Sequence, residues 1–247
     1  MITSQTNGAR CTITLNRPDK ANALTAEMLE MLERRVGEAE GAGVPVLILT
    51  GAGKVFSAGA DLQDVHNGLT TNAVWERLST RIARYPGLTI AALNGTCAGG
   101  ALGMMLACDL RVAVDKAKVF YPVLKNGFLP QPSDPRRLAA LCGLSRAKMI
   151  LLGGQKVDAQ TALSWGLFDA LATPDDLLEV VTDLSADAVN ANPTLLAQIK
   201  ALCHGDGPRR AMPGPAPAPA QQLSPHPTTA RAVFGASGLS AVAAKSD

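Results

Sequence analysis

The sequence predicts an α/β fold built around a largely parallel β-sheet. Three apolar runs of strand length, at residues 44–50, 88–93 and 110–114, lack the in-and-out alternation of a strand with one face in water. Segments with helical periodicity separate them. Strands that are apolar throughout are typical of parallel sheets whose two faces are covered by helices. The last third of the chain is mostly helical in pattern, so a helical region should follow the sheet.

The composition fits one folded core with an appendage. The chain has 247 residues, of which 47% are hydrophobic and 18% are charged. That is enough to bury the interior of a domain of about 200 residues. The formal net charge is only +2, and no basic stripe is interleaved with aromatic residues. We therefore expect no nucleic-acid partner.

The cysteines indicate a reducing compartment and no metal centre. They are scattered along the chain, without a CxxC pair or a Cys/His spacing that would hold a metal ion. Residues 1–5 lack the basic and apolar regions of a secretory signal. We expect reduced thiols and a cytoplasmic location. The cysteines are Cys11, Cys97, Cys108, Cys142 and Cys203.

Residues 88–110 are apolar enough to suggest a helix that spans a membrane. Asn94, several glycines and the charged residues Asp109 and Arg111 argue against that interpretation. A strand, a glycine-rich turn and a buried helix explain the segment better. No membrane span is therefore expected.

Short strands and capped helices alternate in the N-terminal half. Residues 11–15 alternate between apolar and polar types and predict a strand. Thr25 is placed to cap a helix that runs through Arg35. Residues 55–56 predict a further short strand, and residues 101–108 predict a helix.

The C-terminal half is predicted to be helical, with a proline-rich interruption. We divide the chain into a core at residues 1–190 and a C-terminal helical region at residues 191–247. Seven prolines fall within residues 208–227 and predict an extended linker there. The predicted helices of this half cover residues 134–142, 145–152, 159–165, 173–190 and 193–203.

Two glycine-rich turns carry the clearest functional signal. Residues 57–61 (SAGAD) and 94–103 (NGTCAGGALG) each follow a strand-like run and lead into a helix-like one. Two such turns, facing each other, could hold one carbonyl oxygen between the backbone N–H group of Ala60 and an N–H group at the start of the helix near Ala101. Gly99 lacks a β-carbon and lets a ligand approach the backbone. This arrangement is an oxyanion hole, and it indicates chemistry on a thioester or similar acyl group.

Other nucleotide-binding and hydrolase motifs are missing. Residues 51–53 lack the third glycine of a dinucleotide-binding fingerprint. Ala101 and Leu102 stand where a P-loop needs a lysine and a hydroxyl residue. The chain has no GxSxG elbow for a serine nucleophile.

The order and spacing of the matching segments resemble the crotonase superfamily, also called the enoyl-CoA hydratase/isomerase family. The resemblance runs from about residue 10 to residue 200. It rests on LNRP with NAL, on FSAGADL, on AALNG followed by the paired glycines and CD, and on ALSWGL. The matching residues are 15–18, 22–24, 56–62, 91–95, 99–100, 108–109, 130, 137–138, 143 and 162–167.

The resemblance implies a crotonase-like spiral of ββα units with a C-terminal helical region that makes subunit contacts. It implies a homotrimer or hexamer, an acyl-CoA thioester as substrate or ligand, and no separate cofactor. Ala60 and Gly100 match the two oxyanion-hole positions. Lys20 and Ala21 fall in the loop that contacts pantetheine, although Lys20 is alternatively a solvated loop lysine. The strip that contacts the adenine and pantetheine portions contains Ala58, Ala60, Asp61 and Leu62.

Two glutamates of the family's hydratases are missing from this chain. The resemblance places them at Gly103 and Val123, so that an apolar Val123 lies in the pocket instead. Some members carry a further carboxylate where this chain has Gln131. A proton-transfer residue is worth about 10²–10⁴-fold in rate, so efficient enoyl-CoA hydration is not expected. The sequence therefore predicts a family enzyme with altered chemistry or, alternatively, a non-catalytic protein that carries or senses acyl-CoA.

Several polar residues are candidates for the site, each with a structural alternative. Asp134 is either a displaced general base or, as the local pattern favours, an N-cap before Pro135. His66 either reaches the acyl pocket or is solvated beside a surface turn. Tyr121 either donates a hydrogen bond to the substrate or packs in the core. Asp61 is expected to cap the helix that follows it, with its backbone near the ligand.

Overall fold

The structure is a computed structural model that describes residues 1–205. The predicted linker at residues 208–227 and most of the predicted C-terminal region lie outside the described residues. Within the described range, two sheets contain six and four strands. The strands are β1 (Ile2–Asn7), β2 (Arg10–Leu15), β3 (Val46–Gly51), β4 (Val55–Ser57), β5 (Leu88–Leu93), β6 (Thr96–Ala98), β7 (Leu110–Val114), β8 (Lys118–Phe120), β9 (Val157–Asp158) and β10 (Ala170–Ala172).

The helices of residues 1–205 are mostly short. Three 3-10 helices occupy Pro18–Lys20, Leu69–Thr71 and Gly99–Ala101. The α-helices are α1 (Ala26–Gly41), α2 (Leu62–His66), α3 (Val74–Ala83), α4 (Leu102–Ala107), α5 (Val123–Asn126), α6 (Asp134–Cys142), α7 (Leu144–Leu151), α8 (Ala159–Ser164), α9 (Leu177–Leu184), α10 (Ala186–Asn190) and α11 (Pro193–Cys203).

The six-stranded sheet confirms the predicted parallel architecture. Its strand order is β1-β2-β3-β5-β7-β10. Every neighbouring pair is parallel except β1 with β2, which is antiparallel. Val46 and Ile90, in the central strands, are fully buried. Helices α1 and α9 pack against strands of this sheet, which explains why those strands need no polar face.

The four-stranded sheet places the two glycine-rich turns side by side. Its order is β4-β6-β8-β9, and β4 pairs with β6 in parallel. The first turn leaves the C-terminal end of β4, and the second leaves the C-terminal end of β6. Parallel neighbours end at the same edge of a sheet, so both turns start from one edge.

Helix α1 begins where the sequence predicts and ends later than predicted. The Thr25 hydroxyl accepts a hydrogen bond from the Met28 N–H at 3.2 Å, which confirms the predicted N-cap. The helix continues to Gly41 rather than ending at Arg35. Val36 and Ala39 extend its buried stripe by one more turn, so packing supports the longer helix.

The helix predicted over residues 173–190 is two helices in the structure. Helices α9 and α10 meet at Ser185, whose side chain is fully buried. Its hydroxyl donates to the carbonyls of Val181 at 2.8 Å and Thr182 at 3.1 Å. It also accepts a hydrogen bond from the Arg10 guanidinium at 2.9 Å. A serine that bonds back to the preceding turn bends or ends a helix.

Helix α11 is tied to the core. The Lys200 ammonium group donates to the Gly87 carbonyl at 3.0 Å and to the Asp109 carboxylate at 2.7 Å. The boundary at residue 190 between the core and a C-terminal helical region stays a prediction. No helix within residues 1–205 combines the length and the apolar character needed to cross a bilayer.

Candidate functional site

The first glycine-rich turn is fixed by pairing with Leu24. The Leu24 N–H donates to the Gly59 carbonyl at 2.8 Å, and the Leu24 carbonyl accepts from the Asp61 N–H at 2.9 Å. Together these bonds form a parallel bridge between Leu24 and Ala60. Because the residues on either side of Ala60 make both bonds, the Ala60 N–H points away from Leu24.

The second turn runs from β6 into α4. Ala98 is extended, with φ −134° and ψ 156°, and the 3-10 helix Gly99–Ala101 follows it directly. Helix α4 continues that turn. The first N–H groups of a helix have no acceptor within the helix. The Gly100 N–H is one of these free donors.

The two turns touch each other at their glycines. Gly59 has φ +93°, and a β-carbon there would come within 2.8 Å of the Ala98 carbonyl oxygen. Gly99 has φ +58°, and a β-carbon there would lie 3.6 Å from the Gly59 α-carbon. Both the backbone conformation and the close approach therefore require glycine at residue 59.

This contact brings two unused donors onto neighbouring turns. Among residues 1–205, none accepts a hydrogen bond from the backbone N–H of Ala60 or of Gly100. Both residues are partly exposed, so a ligand can reach them. Two such donors can stabilise one oxygen that gains negative charge.

A buried asparagine, which the sequence analysis did not single out as functional, holds the loop before α1 against the first turn. The Asn22 side chain is fully buried and donates to the carbonyls of Ala52 at 2.9 Å and Val55 at 2.7 Å. Its amide oxygen accepts from the Arg17 N–H at 2.9 Å. The Ser57 hydroxyl donates to the Asn22 carbonyl at 2.8 Å and closes the network. Four hydrogen bonds therefore fix this loop.

The residues expected to contact coenzyme A lie on this loop and on the first turn. Lys20 and Ala58 are exposed, and Ala21 is half-buried. The Ala58 N–H donates to the Ala21 carbonyl at 3.0 Å, which joins the two segments. Leu62, the first residue of α2, is 78% exposed. The structure thus brings this group together at one exposed rim.

Asp61 caps α2, as the sequence predicts. Its carboxylate accepts from the Gln63 N–H at 2.9 Å and pairs with the Arg17 guanidinium at 2.7 Å. The hydrogen bond from Arg17 is the main reason that the pKa of Asp61 lies below its usual range. Asp64 acts similarly for α1, because its carboxylate accepts from the Ala26 N–H at 2.8 Å. Asp61 thus ties α2 to the loop before α1, and Asp64 ties it to the first residue of α1.

His66 is exposed at the end of α2. One of its ring nitrogens, Nδ1, lies 2.7 Å from the Leu62 carbonyl oxygen. Within the described part of the chain, the structure therefore pairs His66 with its own helix rather than with the polar groups near Gly103.

Trp75 on α3 lies directly against the second turn, and the sequence analysis did not identify it. A β-carbon on Gly100 would come within 3.1 Å of the Trp75 ring. The ring is buried, and its indole N–H donates to the Leu69 carbonyl at 2.9 Å. The apolar residues Val74, Leu78 and Ile82 repeat at four-residue intervals and could have revealed this helix.

Asp134 is not an N-cap, so the local interpretation of this residue was wrong. Ser133 occupies the N-cap position of α6, and Asp134 is the first helical residue. The Asp134 side chain is only 1% exposed. Its Oδ2 atom accepts a hydrogen bond from the Tyr121 hydroxyl at 3.0 Å. Tyr121 is buried in the core, so it packs there and also bonds a carboxylate.

The Asp134 carboxylate fills the space beside Gly103. A β-carbon on Gly103 would lie 3.0 Å from Oδ1 and 3.3 Å from Oδ2 of Asp134. No residue in the described range donates a hydrogen bond to Oδ1, although that atom is buried. A carboxylate on α6 therefore occupies the volume that a side chain on α4 would use.

Burial determines the protonation of this carboxyl group. Loss of contact with water raises the pKa of Asp134 to about 7, while the Tyr121 hydrogen bond and the Arg137 charge oppose this change. The Glu76 charge adds to the increase. Desolvation penalises a charged carboxylate, which is why its effect is the largest.

A second carboxylate of this region, Glu76, lies on α3. The Ser133 hydroxyl and the Ser133 N–H both donate to it, the latter at 3.2 Å. Burial favours the neutral acid, but these hydrogen bonds, together with the Arg137 charge and a hydrogen bond from Thr80, outweigh it and hold the pKa of Glu76 below its usual range. Helices α3 and α6 are joined by this contact.

The other predicted positions are placed as follows. Val123 is 8% exposed, and its N–H donates to the Tyr121 carbonyl at 2.8 Å. The Gln131 amide donates to the Thr70 carbonyl at 3.3 Å.

Cys97 and Cys108 are buried, and burial raises the pKa of both thiols, that of Cys108 to about 12. Neither thiol is therefore a nucleophile at neutral pH.

Comparisons with known proteins identify the family and the fold. A family model described as enoyl-CoA hydratase/isomerase matches residues 5–211. The YngF protein of Bacillus subtilis (strain 168) is 37% identical over 196 residues, which cover 76% of this chain and 75% of that protein. The short-chain-enoyl-CoA hydratase of Clostridium acetobutylicum is 32% identical over 197 residues, which cover 75% of this chain and 74% of the hydratase.

Solved structures show the same architecture. The enoyl-CoA hydratase from Bacillus anthracis superposes with a TM-score of 0.76 at 29% identity, covering 83% of each chain. Pseudomonas aeruginosa DspI superposes with a TM-score of 0.77 at 30% identity, covering 83% of this chain and 80% of that one. The α/β fold class and the resemblance described from the sequence are both confirmed.

Proposed function

Because this chain belongs to the enoyl-CoA hydratase/isomerase family, we propose that it is an enzyme that polarises the carbonyl of an acyl-CoA thioester. The donors are the backbone N–H groups of Ala60 and Gly100. The observation that carries this proposal is the contact between the two turns, with both N–H groups left without an acceptor in residues 1–205. Each donor of this kind is worth about 3 kcal/mol of transition-state stabilisation.

The exposed rim supports coenzyme A as the carrier of the acyl group. Lys20, Ala21 and Ala58 lie together beside the first turn, and Leu62 follows on α2. A lysine ammonium group is a suitable partner for a phosphate, and the small residues leave the backbone accessible to pantetheine. No cofactor besides the thioester is needed for this chemistry.

The reaction proceeds through an enolate. When the thioester oxygen accepts two hydrogen bonds, negative charge that forms on loss of the α-proton is shared with that oxygen. Efficient hydration is not part of the proposal, because Gly103 and Val123 offer no carboxylate to hold the water. Altered proton-transfer chemistry at the α-carbon fits the residues that are present.

A homotrimer or hexamer is the expected assembly. Helix α11 presents Leu195, Ile199 and Leu202, each more than half exposed. Exposed apolar side chains on one helix support a subunit contact there. Light scattering on the purified chain would measure the assembly.

A direct test is the exchange of α-protons in D2O. Butyryl-CoA has acidic α-protons and no double bond, so its deuterium uptake reports enolate formation alone. We expect saturable binding of butyryl-CoA by calorimetry and enzyme-dependent deuterium uptake by mass spectrometry.

The matched variants are Gly59→Ala and Gly8→Ala. Both glycines have positive φ, but a β-carbon meets the second turn only at Gly59, whereas nothing lies within 4 Å at Gly8. We expect Gly59→Ala to reduce exchange at least tenfold and Gly8→Ala to leave it unchanged. Equal exchange in both variants would contradict the proposed oxyanion hole.

The second candidate function is a non-catalytic acyl-CoA carrier or sensor. It is favoured by the lack of a side chain at Gly103 and by the 1% exposure of Asp134. Tight binding of butyryl-CoA without any deuterium uptake, and without turnover of a panel of enoyl- and hydroxyacyl-CoA substrates, would support the carrier and reject the enzyme.

A further inference from the structure

The short stretch from Gly100 to Gly103 joins the proposed oxyanion donor to a buried carboxylate. These residues are three positions apart at the start of α4. Side-chain positions with this spacing are about 5–6 Å apart on one face of a helix. The Asp134 carboxylate, which packs against Gly103, therefore lies about one helical turn from Gly100, whose N–H is the proposed donor.

The two glycines have different neighbours on that face. The Trp75 ring covers the Gly100 position, and the Asp134 carboxylate covers the Gly103 position. A polar group and an apolar ring thus pack side by side against this stretch of the chain. This is a suitable arrangement for an acyl chain whose reacting carbon must meet a proton-transfer group.

We propose that Asp134 is the catalytic acid/base of this site and that its Oδ1 atom moves the proton at the α-carbon of the bound acyl group. This inference rests on the proposed binding of an acyl-CoA thioester by Ala60 and Gly100. It identifies a carboxylate supplied by α6 as the replacement for one that α4 does not carry.

The two oxygens of Asp134 have separate roles. Oδ2 is held by the Tyr121 hydroxyl at 3.0 Å, which fixes the orientation of the carboxyl group. Oδ1 is buried and accepts no hydrogen bond from any residue within 1–205. An unpartnered buried oxygen is costly unless a ligand or proton uses it, so Oδ1 is the atom available for transfer.

Burial and the neighbouring polar groups set the pKa of Asp134 to a value that suits proton transfer. Tyr121 and Arg137 favour the charged form, while Glu76 and burial favour the neutral acid. Cys97 also lies near this carboxylate, and its pKa is raised, so the thiol stays neutral. With a pKa of about 7, both forms of Asp134 are present at neutral pH. A general acid/base works best under that condition.

The proposed step balances with one carboxylate. The Oδ1 atom takes the α-proton, the electron pair of the broken C–H bond enters the enolate, and the thioester oxygen carries the charge. For a 3-enoyl thioester, return of the same proton to the γ-carbon shifts the double bond and gives the 2-enoyl thioester. No water or second carboxylate is consumed. The favoured substrates are therefore unsaturated acyl-CoA thioesters that undergo a proton shift.

The central experiment compares wild type with Asp134→Asn. Asparagine keeps the size of the side chain and an acceptor for the Tyr121 hydroxyl, but it cannot take a proton. We expect deuterium uptake into butyryl-CoA to fall by about 10²–10⁴-fold while its dissociation constant changes less than threefold. Asp169→Asn is the matched control, because Asp169 pairs with Arg111 away from the glycine turns.

A pH profile separates a catalytic role from a structural one. Wild-type exchange should rise with pH and level off above about 7, as Asp134 becomes ionised. Tyr121→Phe removes a hydrogen bond that favours the ionised form, so it should move this midpoint to higher pH. The Tyr121→Phe measurement also keeps the test valid if Asp134→Asn does not fold.

The outcomes distinguish this inference from the proposed function. Exchange by Asp134→Asn within threefold of wild type, or an unmoved midpoint in Tyr121→Phe, would overturn the role of Asp134 and leave the oxyanion hole intact. Absence of butyryl-CoA binding by wild type would overturn the proposed function itself. Binding by wild type without exchange would reject Asp134 as an acid/base.

Discussion

Asp134 and Gly103 compete for one volume, since a β-carbon on Gly103 would lie 3.0 Å from the Asp134 Oδ1 atom. The carboxylate and the missing side chain come from different helices, α6 and α4. Their effects on stability should therefore be coupled, although 31 positions separate them in the sequence.

Gly103→Ala should destabilise wild type by about 1–3 kcal/mol, because the added methyl group crowds a buried carboxylate. In an Asp134→Ala background the crowding is absent, and the same change should stabilise α4 by about 1 kcal/mol, since alanine is the better helix former. Urea unfolding of the four proteins in this double-mutant cycle measures the coupling. Equal effects in both backgrounds would contradict the shared volume.

Stability should depend on pH through Asp134. Its pKa is about 7 in the folded protein and near 4 when unfolded, so the folded state holds the proton more tightly. This contribution is fully present below about pH 4 and is lost as the pH rises through about 7, for a total of about 4 kcal/mol. Asp134→Asn has no such proton. The difference in unfolding free energy between wild type and this variant should fall from pH 4 to pH 8. A difference that stays constant with pH would contradict the raised pKa of Asp134 in the folded protein.

Trp75 should report the arrival of an acyl group at Gly100. The chain has two tryptophans, so Trp165→Phe leaves Trp75 as the only one. Because the Trp75 ring lies against Gly100, butyryl-CoA should change its emission in a saturable way, with the midpoint found by calorimetry. Free coenzyme A, which lacks the acyl group, should change it much less. Unchanged emission at saturating butyryl-CoA would place the acyl group elsewhere.

Ala21 should tolerate glycine unusually well. Its φ of 50° lies in the left-handed region, which costs about 1–2 kcal/mol for a residue with a β-carbon. Ala21→Gly relieves that strain, so thermal unfolding should show a stability equal to wild type or about 1 kcal/mol higher. Ala140→Gly, on the exposed face of α6, should instead cost about 1 kcal/mol. Similar losses in the two variants would argue against strain at Ala21.

Features set by local chemistry were predicted correctly from the sequence. Thr25 caps α1 as predicted, and the helices predicted to start at residues 159 and 193 do start there. The apolar strands were also predicted, since burial on both faces requires uninterrupted apolar residues. Strand β1 was missed because only Ile2 among its residues is buried.

The misinterpretation of Asp134 has a different cause. An aspartate before a proline fits the local pattern of a helix start, and nothing nearby in the sequence contradicts it. Its actual neighbours are Tyr121, in the segment after β8, and Gly103, on α4. Only the tertiary fold brings these two segments to α6. Likewise, the contact of Trp75 with Gly100 depends on how α3 packs on α4. Such relationships leave no periodicity in the sequence.

The ion pair between Lys200 and Asp109 has a consequence for synthesis of the chain. The partners are 91 positions apart, and Lys200 is the later one in the chain. At a translation rate of about 5–20 residues per second, Asp109 and strand β7, which begins after it, exist for about 5–20 seconds before Lys200 is made. During that interval a nascent chain holds the central strands with an unneutralised carboxylate at their end. The ion pair that fastens helix α11 to the core thus forms only when translation of the described residues is nearly complete.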